Sequence, residues 1–244
     1  MVGYLGPPIE PMSWLATTLS MYRRAFRRAG QLTLRNWPVA GTTFAYSFAL
    51  AATATVAAPL GIAGGFLMSL VWAACVSSFL YLVEMMLRTG SVSWGDFRRS
   101  FGVYLWDVVG VTFILWVVFA VATPALRTTP QGPGLVLGLN LVIVVLFNAV
   151  PELIYLGHHS SLELLTESYR FIADNWIEWF PATLAMAVPL AAIAGVPLPS
   201  GLGWARTAVL AFWVYFMMVA RGLLFLELHG SSRRARAFRH RAGG

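Results

Sequence analysis

The chain has 244 residues, 58% of them hydrophobic and only 11% charged, with a mean hydropathy of +0.70; a soluble domain of this size could not cover so much apolar surface, so the composition predicts a membrane protein. All 17 basic residues are arginines, and the formal net charge is +7; because the arginines flank apolar runs, membrane orientation explains them better than nucleic acid. The single cysteine, Cys75, sits inside an apolar run, which excludes a disulfide framework and a cysteine-based metal site.

Residues 1–12 read as a Pro-rich leader with no basic region ahead of a short apolar segment, so no cleavable signal peptide is expected. From Ser13 an amphipathic helix is predicted, with Leu15, Leu19, Tyr22, Phe26 and Ala29 on one face and Arg23, Arg24, Arg27 and Arg28 on the other. Such a basic helix lies in a membrane interface, drawn to anionic lipid. Spans are predicted at about 38–58 and 62–87, joined by a Pro/Gly turn and closed by Glu84, Arg88 and Gly90. Residues 91–107 are too polar to cross but aromatic enough for a second interfacial element. Spans follow at 105–126 and 135–156, joined by the turn-rich RTTPQGPG.

Residues 161–180, SLELLTESYRFIADNWIEWF, predict a third interfacial helix. Leu162, Leu165, Tyr169, Ile172, Trp176 and Trp179 form its apolar stripe, and Glu163, Glu167, Arg170, Asp174 and Glu178 its polar one. Four acids against one arginine make it net acidic, so it should meet protein arginines more readily than anionic lipid. A fifth span is expected at about 180–193, interrupted by Pro189, and a sixth at 205–228, followed by an Arg-rich tail at 231–244. Fourteen arginines fall on the proposed inner side and two, Arg127 and Arg206, on the outer, with Arg221 inside the last span. That asymmetry predicts cytoplasmic termini.

The expected fold is therefore all-α: one membrane domain with six transmembrane helices and three cytoplasmic-interface amphipathic helices. The order of elements suggests a threefold internal repeat, about 13–90, 91–157 and 158–230. Trp37, Trp106 and Trp176 mark an elbow in each copy, as interface anchors do. The even-numbered spans end with Glu84, Glu152 and Glu227, each shortly before Gly and Ser.

The run PELIYLGHHSSLELLTESYRFIADNW, with Glu152, Ser168, Arg170, Asn175 and Trp176, resembles a broad group of bacterial six-helix membrane proteins that includes the membrane domain of some glycerophosphoryl diester phosphodiesterases. The resemblance implies a multi-pass protein of the bacterial cytoplasmic (inner) membrane. It implies no activity, since no stretch remains to form the phosphodiesterase catalytic domain.

Three constellations bear on chemistry. Asn140, Asn148 and Glu152 are eight and four residues apart on one predicted helix face, beside Pro151, which deprives the Phe147 carbonyl of its helical partner. That face reads either as packing or as a polar path. The three glutamates are expected to pair with elbow arginines, Glu84 with Arg98 or Arg99 and Glu152 with Arg170, because a half-buried charge needs a partner. His158 and His159 are adjacent and so point apart on a helix, a poor metal site, and His229 and His240 stand alone. No catalytic motif or cofactor-binding pattern is present. The leading expectation is a non-catalytic scaffold, assembly factor or subunit that contacts membrane lipid and other membrane subunits, with no nucleic-acid partner. The alternative is a small transporter that uses the polar face of the fourth span.

Overall fold

The computed structural model describes residues 11–157, 161–197 and 202–229. The order is α1 (Pro11–Arg35), a 3-10 turn (Trp37–Gly41), α2 (Thr42–Ala57), a 3-10 turn (Ala58–Leu60), α3 (Ile62–Thr89), α4 (Trp94–Arg99), a 3-10 turn (Ser100–Gly102), α5 (Leu105–Arg127), α6 (Gly132–Leu146), α7 (Val150–Leu156), α8 (Ser161–Gly195) and α9 (Gly203–His229). No strand occurs among the described residues. Six segments are long and apolar enough to cross a membrane: Trp37–Leu60, Ile62–Thr89, Leu105–Arg127, Gly132–Leu156, Leu162–Gly195 and Gly203–His229. The chain is an all-helical, polytopic, membrane-type bundle.

The core is unevenly shared. Half of the apolar stretch of α9 is buried and 39% of that of α3, against 6% for the span containing α2. These two helices meet each other, and between them they touch α1, α2, α4, α5, α7 and α8. Gly222 is one reason they approach so closely. A Cβ there would lie 2.5 Å from Leu87 Cδ1 on α3 and 2.8 Å from the Tyr155 hydroxyl on α7. The outward faces of α2, α5 and α6 present Phe48, Phe113, Trp116, Leu137 and Val144, all exposed, as suits a surface solvated by lipid.

Polar ties concentrate at the end of the bundle that carries α1 and α4, here called the basic end. Tyr46 and Ser78 share a 2.8 Å hydrogen bond, and Ser78 is bonded in turn to Ser100. Ser77 donates to the Ser100 carbonyl and accepts from the Tyr104 amide. Thr42 and Tyr215 are hydrogen-bonded at 2.7 Å. Asn36 donates to the Gly90 carbonyl and accepts from the Val92 amide, which fixes the turn after α3 to the end of α1. Gly90 has φ +74°, a left-handed helix end that glycine adopts without a Cβ penalty.

Two expectations about the amphipathic helices need correction. On α1 the arginine face is exposed, but the buried stripe is Met21, Ala25 and Ala29, while Leu15 and Leu19 remain 51% and 65% exposed. Small residues let α1 dock directly on α9, so it is fastened to protein as well as turned to the interface. On α8 the buried stripe is Leu164, Ser168, Phe171, Ile172 and Trp179; Leu162, Tyr169 and Trp176 are exposed and Glu178 is buried. Tyr22 of α1 donates to the Glu178 carbonyl. Burial, and next the charge of Glu178, push the Tyr22 phenol up to about 12, which keeps it a donor.

The three expected elbows take two forms. The first and second are 3-10 turns, at Trp37–Gly41 and Ser100–Gly102, whereas α8 runs through Trp176 without a turn, so the interfacial helix and fifth span are one 35-residue helix. Pro181 and Pro189 lie inside it. The helix continues through both prolines; nearby, Thr183 donates to the Trp179 carbonyl and Trp213 to the Met186 carbonyl.

Candidate functional site

The fourth span is broken where Pro151 removes a donor. Helix α6 stops at Leu146, and the Val150 amide turns back to the Phe147 carbonyl at 3.2 Å before α7 begins. The carbonyls released by the break find partners on other helices. Ser168 Oγ of α8 donates to the Leu146 carbonyl at 2.9 Å, and Arg221 Nη2 of α9 donates to the Asn148 carbonyl at 2.6 Å. The break is therefore satisfied, as buried irregular backbone in a membrane protein must be.

Arg221 also holds Glu152 by two parallel bonds, Nε to Oε1 at 2.7 Å and Nη2 to Oε2 at 2.9 Å. Glu152 is completely buried and Arg221 is 7% exposed. The guanidinium lies over the Trp179 ring, 5.0 Å from its centre. Trp179 Nε1 in turn donates to Asn148 Oδ1 at 2.8 Å. Thus α7, α8, α9 and the break are closed into one cluster by Arg221, Glu152, Asn148 and Trp179. A forked arginine–carboxylate pair whose Nη2 also bonds a backbone carbonyl is the kind of arrangement that makes a buried charge tolerable.

This cluster corrects the sequence reading of two groups. Glu152 pairs with Arg221, and Arg170 instead lies 3.7 Å from Glu167 on its own helix and is well exposed. Asn140 is exposed and bonds the Val136 carbonyl of its own turn, so the break takes it off the face occupied by Asn148 and Glu152. The three residues do not line one continuous stripe.

Glu84 is likewise held by a different partner from the one expected. Arg88, one turn on, meets it at 2.8 Å, and the Tyr104 hydroxyl donates to its other oxygen; Arg98 and Arg99 are exposed on α4. Burial, followed by the hydrogen bond to Glu84, raises the Tyr104 phenol, so it remains protonated. Glu84 and Tyr104 border a cleft of about 470 Å³ that also touches Tyr81, Asp107 and Ile154. Glu227, the third of the set, takes Arg24 of α1 at 2.7 Å, tying the first helix to the last. Arg24 thus has a structural role, while Arg23, Arg27 and Arg28 face outward. Trp37, Trp106 and Trp176 are 68%, 73% and 56% exposed.

His158, His159 and His240 lie outside the described residues. His229 stacks on Phe225 with ring centres 4.9 Å apart. Among the described residues no three His, Cys, Asp or Glu side chains gather to hold a metal ion.

Fold and site together define a class, a helical membrane-type bundle whose deepest polar groups bind one another across a broken span. No family model, curated protein or solved structure matches the chain.

Proposed function

We propose that this chain is a non-catalytic scaffold, assembly factor or subunit of a membrane complex in the bacterial cytoplasmic membrane, with its basic end toward the cytoplasm. The observation that supports this most is the closure of the Arg221–Glu152–Asn148–Trp179 cluster. A path or a reaction centre needs polar groups that a substrate can reach, and here they are engaged with each other. The ridge of Leu162, Tyr169 and Trp176, seven residues apart along α8 and exposed, offers a surface to a neighbouring subunit. The recurring order of interfacial helix and paired spans fits a repeat that builds a collar of such helices.

The test is quantitative mass spectrometry of what co-purifies in mild detergent from native membranes. The same membrane protein at a fixed ratio to this chain, lost on Tyr169→Arg, is the expected result. Recovery of the chain alone at every detergent concentration argues against a partner role.

Transport remains the competing reading, because broken spans build midplane binding sites in many transporters and α6 is broken from α7. Substrate flux in proteoliposomes that fell on Asn148→Leu would favour it; flux unaltered by that change would remove it.

A further inference from the structure

A second feature of the basic end lies apart from the buried cluster. Between the 3-10 turn that opens the first span and the turn linking α3 to α4 there is a groove of about 390 Å³, walled by Pro38, Val39, Ala45, Leu82, Val92 and Phe97. Its walls are almost wholly apolar. Trp94 also borders it and is 71% exposed, and the neighbouring Trp37 is 68% exposed. Tryptophans at span ends mark the headgroup level of a bilayer, so the groove opens where acyl chains meet headgroups.

Three arginines stand on or beside the elements that wall it. Arg98 and Arg99 belong to α4, the short helix that supplies Trp94 and Phe97. Arg35 reaches the turn from the other side, its Nη1 standing 4.0 Å from where a Gly90 Cβ would be, two residues before Val92. All three are exposed, and none is in a salt bridge among the described residues. Arg99 donates from Nε to the Gly95 carbonyl and shares α4 with Asp96, yet three arginines to that one acid beside an apolar slot match a molecule with a hydrocarbon chain and an anionic head. Guanidinium forks suit phosphate oxygens in particular.

We propose that this groove is a binding site for one phospholipid with an anionic headgroup, an acyl chain lying against Val39, Ala45 and Phe97 and the phosphodiester facing Arg35, Arg98 and Arg99. The site is distinct from the general attraction of the α1 arginines for a charged surface, because it combines shape with charge. It holds whether or not the chain has a protein partner.

Native mass spectrometry of the full chain in mild detergent, with phosphatidylglycerol and phosphatidylcholine of identical acyl chains in competition, tests this. One phosphatidylglycerol per chain should be retained with about a tenfold preference, the order expected from cations near a headgroup. R35Q/R98Q/R99Q should abolish the preference. A45F, at an exposed position on the groove wall, should release both lipids. R23Q/R27Q/R28Q removes equal charge from α1 and should leave retention as it is. Equal retention of the two lipids by the unaltered protein overturns the proposal without reliance on any variant. So does retention that survives A45F, or that falls equally in the α1 variant.

Discussion

Glu152 and Arg221 are the residues on which the basic end depends. Removing one of them leaves its partner charged, buried and unpaired, which costs about 3–5 kcal/mol. Glu152→Leu or Arg221→Met alone should therefore lower the melting temperature in detergent sharply or abolish folding. Trp179→Phe keeps the ring beneath Arg221 but takes the donor from Asn148 and should cost about 1 kcal/mol. Gly222→Leu drives a side chain into Leu87 and Tyr155 and should destabilise by about 1–3 kcal/mol, more than Gly134→Leu, where nothing stands in the way. Of this site the sequence revealed Glu152 and Asn148 and the disturbance at Pro151, because each departs from an apolar span locally. Arg221 was visible as a cation inside a span, and such a group requires a buried partner. Its pairing across 69 residues was not legible, since hydropathy and periodicity carry no information on which helices become neighbours.

At the level of elements, α4 is short and depends on its start. Ser93 accepts from the Asp96 amide while the Asp96 carboxylate accepts from the Ser93 amide and hydroxyl, a reciprocal cap. Ser93→Ala should cost about 1 kcal/mol. Hydrogen bonds from Ser93, and more weakly Arg99, hold the Asp96 carboxyl below its ordinary range. A carboxylate with a lowered folded value stabilises fully above its unfolded pKa and loses that contribution as pH falls through the lowered one. Amide protection factors in residues 93–99, taken relative to the intrinsic rate at each pH, should accordingly be high at neutral pH and fall in acid, a fall that Asp96→Asn removes. The span limits were legible from apolar length, and α3 and α5 begin and end within a few residues of expectation. The joint at Trp176 was not, because polar residues followed by Pro181 resemble an elbow, whereas the helix, packed on α9, continues without a turn. For the same reason the buried stripe of α8 is rotated from the one that hydrophobicity alone selects. Leu162, Tyr169 and Trp176 are apolar, yet all three are exposed.

For the whole molecule, six apolar helices and a polar end were foreseeable from composition, and the uneven burial was not. In lipid, apolarity does not tell an exposed face from a buried one, so α2, whose Ala and Thr suit close packing, is peripheral while the bulkier α9 is central. The arginine asymmetry predicts sidedness that can be measured. With native Cys75 buried and replaced by serine, Ser91→Cys should be labelled by an impermeant maleimide only from the cytoplasmic side and Thr129→Cys only from the opposite side. The account rests most on the claim that the buried cluster serves architecture and not a passing substrate. The direct measurement is the double variant E152L/R221M, assayed together for melting in detergent and for co-purification from native membranes. Because apolar groups of similar size often replace a buried pair without loss, while the Asn148 carbonyl loses its donor, the account predicts a folded protein that melts below the parent yet above either single variant and retains the parent's partner. A double variant that folds yet no longer retains that partner would contradict it.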